Sequence, residues 1–577
     1  MKKVNKILSV FTSCLLPFAL SAAELPQILS AEDVAVYQQI FELQSKEKID
    51  AAIRLDKKVA DPLLMGEVLE QRYTSKTYRT KGKEVADWLY KYYDSPSAPR
   101  MYKLAALKKA GAVRSPKLPS VITGTSIENA QSETWTEKKY TGSTDSTITK
   151  FRKALRGGNT KNARQILEDA SFKKKLSSAD YGRLAGRLSF VYYTNGEFEL
   201  AKKFGFVSSD AKSEYGLWTM GLLYFKEQNF KESQKYFSAI LDLPQINNAR
   251  KTEAAFWAGR ASDANDDSAA ASRFWKIGAS HQMAFYGALS ATMLGDTPRY
   301  EFFEQEYDDD DITELQSSKY GKIALALLQA NQKPRAEKYL TLLITAKATD
   351  RSLHAVNSIA TVFGLPRVAM QVAGVVRDRG ILEIDQDIIY SAQYPLPDWE
   401  PLGGWSIDRA LLFAITKQES AFRTNAKSSA GANGVMQLMP GTAKIVARQN
   451  KVKMSDIDMS NPEHNMFLGQ QHIVDLLDQP AIDKNIIKML ASYNAGLGML
   501  TKFEKNFETS DPLLYIESFP AYETRSYVKR VMSNLWLYRA KLGQPLTGME
   551  DLANGRWPRY DSEDDYVRRR IADRMAI

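Results

Sequence analysis

At 577 residues the chain is long enough for several domains or one long repeat array. A content of 44% hydrophobic and 25% charged residues excludes a disordered polyelectrolyte and allows a large core. The formal charge of +10 is spread along the chain, with no basic stripe carrying interleaved aromatics, which argues against nucleic acid as a partner.

Residues 1–23 read as a signal peptide. Lys2, Lys3 and Lys6 form a basic start, 7–20 is an apolar run too short to span a bilayer, and Ser21-Ala22-Ala23 offers small residues for cleavage after Ala22 or Ala23. Export, soluble and into the periplasm, is therefore expected, with no integral membrane segment left after cleavage. The single cysteine, Cys14, leaves with the leader, so the mature chain has no thiol for a disulfide or for thiol chemistry. Loss of three lysines lowers the formal charge from +10 to +7, which suits an anionic polymer and equally suits ordinary solubility.

Residues 24–110 carry helical periodicity, as in Val85-Ala86-Asp87-Trp88-Leu89-Tyr90. From 111 to 147 Pro116, Pro119, Gly124 and many Ser and Thr residues break that periodicity, predicting a linker or mobile insertion in which Trp135 and Tyr140 act as tethers. Helices resume at 148 and repeat: Tyr192, Tyr193, Phe198, Ala201 and Phe204 match Tyr224, Phe225, Phe230, Ser233 and Tyr236 at an offset of 32 residues. A looser third copy starts at Phe256-Trp257. This period predicts stacked helical hairpins close to tetratricopeptide spacing, with the aromatics in the core of an α-superhelix. Pro395 and Pro397 mark the end of that region at 395. Strand-like alternation is almost absent, so the fold class expected is all-α.

The most informative segment follows, in a domain expected over 396–545 with a tail over 546–577. Ser406 is the expected N-cap of a helix that runs to Glu419, with Leu411, Leu412 and Ile415 on the same face as the acid. Apolar neighbours and the negative helix end both disfavour the carboxylate, so the pKa of Glu419 should rise, as a general acid requires. No other Asp or Glu occurs before Asp456. Taken alone, a glutamate at a helix end is common enough that an ordinary structural role would explain it. His281, His354, His464 and His472 form no metal-binding spacing, there is no phosphate-binding glycine loop, and neither metal nor cofactor is expected.

Four blocks change the balance: Glu419-Ser420-Ala421-Phe422; Ser428 with Gly431-Ala432-Asn433-Gly434-Val435-Met436-Gln437-Leu438-Met439-Pro440; Ala491-Ser492-Tyr493-Asn494-Ala495-Gly496; and Glu523-Thr524-Arg525-Ser526-Tyr527-Val528. In this order and spacing they resemble the lysozyme-like catalytic domain of the soluble lytic transglycosylases. The upstream helical repeats resemble that family's ring-shaped superhelical region, with the 111–147 insertion leaving ring closure open. Arg423-Thr424 departs from the family's usual Asn-Pro, touching the loop after the acid and not the acid. The resemblance implies non-hydrolytic cleavage, exolytic or endolytic, of the MurNAc–GlcNAc β-1,4 bond of peptidoglycan glycan strands, with Glu419 as acid and then base and a 1,6-anhydro end as product. It also implies that Ser428, Gln437, Met439, Tyr493, Asn494, Glu523 and Tyr527 contact substrate, though a core role for Met439 fits nearly as well. A structural salt bridge is expected for Arg525. Two rival readings stay open, a goose-type lysozyme that hydrolyses the same bond, with Glu517 or Glu523 folding back as second carboxylate, and a peptidoglycan-binding scaffold with a vestigial enzyme domain.

Overall fold

The computed structural model describes residues 27–123, 140–244, 246–303, 306–380 and 391–565. The leader 1–23 and residues 124–139 of the expected linker, Trp135 among them, lie outside the described residues. The described residues are helical apart from loops and isolated antiparallel bridges, with no strand among them, in keeping with the all-α expectation. Two compact units divide the chain, one built from residues up to 122 together with 307–359, the other from 123–306 together with 360 onward.

In the first unit the periodicity read from sequence turns into burial. Val85, Trp88 and Leu89 are buried while Tyr90, on the opposite face of the helix Gly82–Tyr92, is exposed. Burying an indole costs a hydrogen bond unless its N–H finds an acceptor, and Trp88 Nε1 donates to the Gly66 carbonyl at 2.8 Å. Glu67 and Glu70, both buried, accept from Arg335 at 2.7 and 2.9 Å, so the two sequence-distant parts of this unit are joined by one guanidinium.

In the second unit the helices Gly142–Arg156 and Thr160–Glu168 lead into the hairpins that the repeat predicts. Helices Ser178–Thr194 and Phe198–Asp210 form one pair, and Glu214–Lys226 and Phe230–Leu241 the next. The 32-residue offset is visible in the packing: Tyr192 stacks on Phe204 at 5.9 Å, and Tyr224 stacks on Tyr236 at 5.6 Å. Polar closure repeats too. Ser189 Oγ donates to the Ala201 carbonyl at 2.6 Å, and at the matching positions Ser233 Oγ donates to the Gly221 carbonyl at 2.9 Å. Trp257 of the looser third copy is fully buried against Phe225 and Phe237. Truncating such a ring to alanine costs roughly 3–5 kcal/mol, so these aromatics hold the stack together.

The helix Arg409–Ser420 is packed against the long helix Tyr522–Lys541. Its N-cap is Asp408 and not Ser406, a correction with a clear cause. Ser406 is held one step earlier, its amide donating to Gln470 at 2.9 Å and its Oγ accepting from Gln471 at 3.1 Å. Asp408 is fully buried and its carboxylate pairs with Arg539 at 3.0 Å. The stretch after 545 packs onto this point, with Asp564 accepting the Arg409 amide at 2.8 Å and Glu563 donating its amide to Asp408 at 2.9 Å. The described part of the tail thus caps the start of this helix.

Candidate active site

Glu419 occupies the last turn of Arg409–Ser420, where Leu411, Leu412 and Ile415 are buried beside it. The helix ends abruptly. Ala421 and Phe422 both adopt left-handed backbone, with φ of 48° and 61°, and Gln437 across the loop has φ of 47°. Non-glycine residues held there cost about 1–3 kcal/mol each, and such strain gathers at functional sites. Arg423, at the position that departs from the family pattern, folds back so that its Nε donates to the Ser420 carbonyl at 3.0 Å. One orphan carbonyl of the helix end is thereby satisfied.

The glycine-rich block forms a narrow, bridged loop. Lys427 pairs with Asn433 and Asn433 with Leu438 in isolated antiparallel bridges. Gly431 and Gly434 have φ of 92° and 77°, and a Cβ on Gly434 would collide with the Asn465 amide. Ser428 Oγ accepts the Ala432 amide at 3.0 Å, and Gln437 Nε2 donates to the Gly434 and Ala426 carbonyls at 2.8 and 3.2 Å. Both side chains are thus held by the loop itself. Met439 is 44% exposed at the start of the helix Pro440–Gln449, so it is not a core methionine.

Two other helices complete the surroundings. Tyr493 donates its hydroxyl to the Met436 carbonyl at 2.9 Å and stacks on Tyr527 with ring centroids 6.4 Å apart. Asn494 Oδ1 accepts from Thr524 at 2.7 Å, joining the third block to the fourth. Tyr527 is buried, Glu523 exposed, and the two stand one turn apart on Tyr522–Lys541. The Tyr527 hydroxyl lacks a partner in ordinary hydrogen-bond geometry among the described residues, yet it lies close enough to the Glu419 carboxyl to stabilise its anion.

These neighbours set the chemistry of the acid. Burial pushes the Glu419 carboxyl up from 4.5 to about 7, the Tyr527 hydroxyl pulls it down and the Glu523 charge raises it further. Glu419 is nevertheless partly accessible. Glu517, the other carboxylate that could have folded back, is engaged elsewhere, accepting from Lys529 at 2.9 Å and Tyr286 at 2.7 Å. Arg525 donates to the Phe519 carbonyl at 2.7 Å and lies over the Phe190 ring, contacts that the expected salt bridge did not foresee.

Sequence reading missed two contributors. Asn465 is fully buried; its Oδ1 accepts the Met436 amide at 2.8 Å and its Nδ2 donates to the Asn433 carbonyl at 3.2 Å, pinning the loop. His472 lies 5.5 Å from Tyr493, and burial lowers its pKa to about 4, so it is neutral at neutral pH. Asn461-Pro462 signals the helix that carries both, but no local pattern shows which of its residues reach the loop.

Residues 401–516 match the family model of the transglycosylase SLT domain. The soluble lytic murein transglycosylase of Salmonella typhimurium is 35% identical over 156 residues, 26% of this chain and 23% of that protein. Its Escherichia coli counterpart is 34% identical over 156 residues, 26% of this chain and 24% of that protein. The sequence match thus spans about a quarter of these relatives' length. The fold match is wider. The crystal structure of the 70 kDa soluble lytic transglycosylase from Escherichia coli aligns over 92% of this chain and 99% of its own, with a TM-score of 0.51 and 17% identity. That of lytic transglycosylase Slt from Pseudomonas aeruginosa aligns over 93% and 90%, with a TM-score of 0.53 and 18% identity.

Proposed function

We propose, with residues 401–516 belonging to the transglycosylase SLT family, that this chain is an exported lytic transglycosylase cleaving peptidoglycan glycan strands in the periplasm. The observation that carries this reading is the placement of Glu419 in the last turn of its helix, beside the buried Leu411, Leu412 and Ile415 and within reach of the Tyr527 hydroxyl, where burial pushes its carboxyl up to about 7. A group with that pKa is protonated and deprotonated in comparable amounts near neutral pH, which is what one residue needs to serve as acid and then as base.

The reaction then runs in two steps at one carboxyl group. The protonated Glu419 gives its proton to the glycosidic oxygen as the C1–O bond breaks and positive charge develops at C1. The resulting carboxylate takes the proton of the C6 hydroxyl as O6 bonds to C1, giving a 1,6-anhydro end and restoring the acid. No water is consumed. Tyr493 contributes by geometry: with its proton given to the Met436 carbonyl, its oxygen offers only lone pairs to a cationic C1. Tyr527 positions and tunes the Glu419 carboxyl. Ser428, Gln437, Met439 and Asn494 belong to the surfaces that would meet the sugar, Met439 by its exposure at the loop's rim.

A second reading rests on Glu523, whose charge is felt at Glu419. A hydrolase of the goose-type lysozyme kind needs a second carboxylate at about 5–9.5 Å to activate water or act as nucleophile, and Glu523 is the candidate. Mass spectrometry of muropeptides released from purified sacculi separates the readings. Anhydro ends from the wild type and none from Glu419→Gln support the transglycosylase. Reducing ends support the hydrolase, and release by neither protein would leave the scaffold reading.

A further inference from the structure

The helix Pro462–Leu477 turns a single stripe toward the loop and the tyrosine of the candidate site. Asn465, Gly469 and His472 follow one another at four- and three-residue spacing and so share a face. The first two meet Met436. Asn465 Oδ1 accepts its amide at 2.8 Å, and Gly469 lies so close that a Cβ there would collide with the Met436 sulfur. The Met436 carbonyl in turn accepts the Tyr493 hydroxyl at 2.9 Å. His472, at the far end of the stripe, packs on the Tyr493 ring with centroids 5.5 Å apart and planes tilted by 44°. Tyr527 stacks on the same ring, nearly parallel at 9°.

The first two residues of the stripe are taken up by the protein, and the third is not. Neither ring nitrogen of His472 makes a hydrogen bond among the described residues, and neither is sealed from solvent, although the residue is half-buried. Tyr493 beside it is half-buried as well, so both rings keep an accessible edge. Burial alone lowers the His472 pKa, to about 4. At neutral pH the imidazole is therefore uncharged, with one N–H donor and one bare acceptor. Packing against Tyr493 would be served by any aromatic ring; an imidazole adds two directional polar groups, held in place by the helix. Sugar hydroxyl and acetamido groups also donate and accept, and they complement that pair.

We infer that His472 is a further substrate-contacting residue, its imidazole hydrogen-bonding the polar edge of a sugar ring bound beside Tyr493. The inference rests on the function proposed above and adds to it a specificity-determining side chain outside the four sequence blocks. An aromatic ring without polar atoms at 472 would leave that sugar edge unpaired when bound, which is what makes the position selective.

Two substitutions separate contact from packing. His472→Phe keeps a ring against Tyr493 and removes both polar groups, whereas His472→Gln gives up the ring and keeps a donor and an acceptor. Rates of the full chain on a soluble glycan fragment of alternating GlcNAc and MurNAc give kcat/KM for each. His472→Phe is expected to lose about threefold to tenfold, the range of one neutral hydrogen bond, with its melting temperature held, and His472→Gln to lose less. Full kcat/KM in His472→Phe, or a greater loss in His472→Gln, would show that the ring only packs and would overturn the inference. Should the wild type release no product from the fragment, the proposed function fails instead. Titration of the fragment into Glu419→Gln, with and without His472→Phe, then still reads the contact, and equal affinity or no binding in the two proteins would overturn it.

Discussion

Tyr527 and Glu523 stand one turn apart on the same helix and act on the Glu419 carboxyl in opposite directions, the hydroxyl lowering its pKa and the carboxylate raising it. Activity that needs the protonated acid should fall as pH rises through about 7. Tyr527→Phe removes the lowering contact and should move that falling limb to higher pH. Glu523→Gln removes the like charge and should move it to lower pH. Profiles of kcat/KM against pH for the two variants should therefore shift apart; shifts in the same direction would sink this account of the acid.

The same residue should weaken the fold at alkaline pH. The folded chain holds a proton on Glu419 up to about 7, whereas the unfolded chain releases it near 4.5. Stability is therefore lost as pH rises between these values, and above them the desolvated carboxylate costs on the order of 1–2 kcal/mol after allowance for solvent in the cleft. Glu419→Gln should melt higher than the wild type at pH 8 and equal to it at pH 4. Scanning calorimetry at both values decides it, and an unchanged difference would show that Glu419 is not desolvated.

Much of this was legible in advance, for identifiable reasons. The 32-residue aromatic match from Tyr192 to Phe204 and from Tyr224 to Tyr236 reports a local hairpin, and the rings stack in both copies. The apolar stripe of Leu411, Leu412 and Ile415 announced both the helix and the raised pKa of Glu419. Ser406 misled as an N-cap because its partner, Gln470, is distant in sequence, and Asp408 is chosen by Arg539 and by the chain's end. Asn465 escaped for the same reason, since nothing local marks a side chain that bonds to a loop 29 residues away. Long-range polar contacts are what the reading lacked.

That distant cap has a measurable weight. Asp564→Ala removes an acceptor from the Arg409 amide and side chain and from Gln544, and should cost about 1–2 kcal/mol. Arg539→Met should cost more, roughly 3–5 kcal/mol, because it strands the buried Asp408 carboxylate. Denaturant unfolding should rank the two variants in that order. The opposite ranking would mean that the Asp408–Arg539 pair contributes nothing net.

The loop over the acid should fail through its backbone. Gly434→Ala places a Cβ against Asn465 at a φ of 77°, and Asn465→Ala strands the Met436 amide and takes one of two donors from the Asn433 carbonyl, which keeps the Leu438 amide. Each should lower turnover about tenfold to a hundredfold, the scale of misplaced catalytic geometry, while leaving circular dichroism largely unchanged. Full activity in Asn465→Ala would show that the loop holds its shape without the staple.

The central claim is that Glu419 performs both proton transfers and that no water enters. Digestion of purified sacculi in heavy-oxygen water by the wild type and by Glu523→Gln tests it most directly. Anhydro ends free of heavy oxygen from both proteins are expected. Reducing ends carrying heavy oxygen from the wild type, and their loss in Glu523→Gln, would contradict the account and make Glu523 the base of a hydrolase.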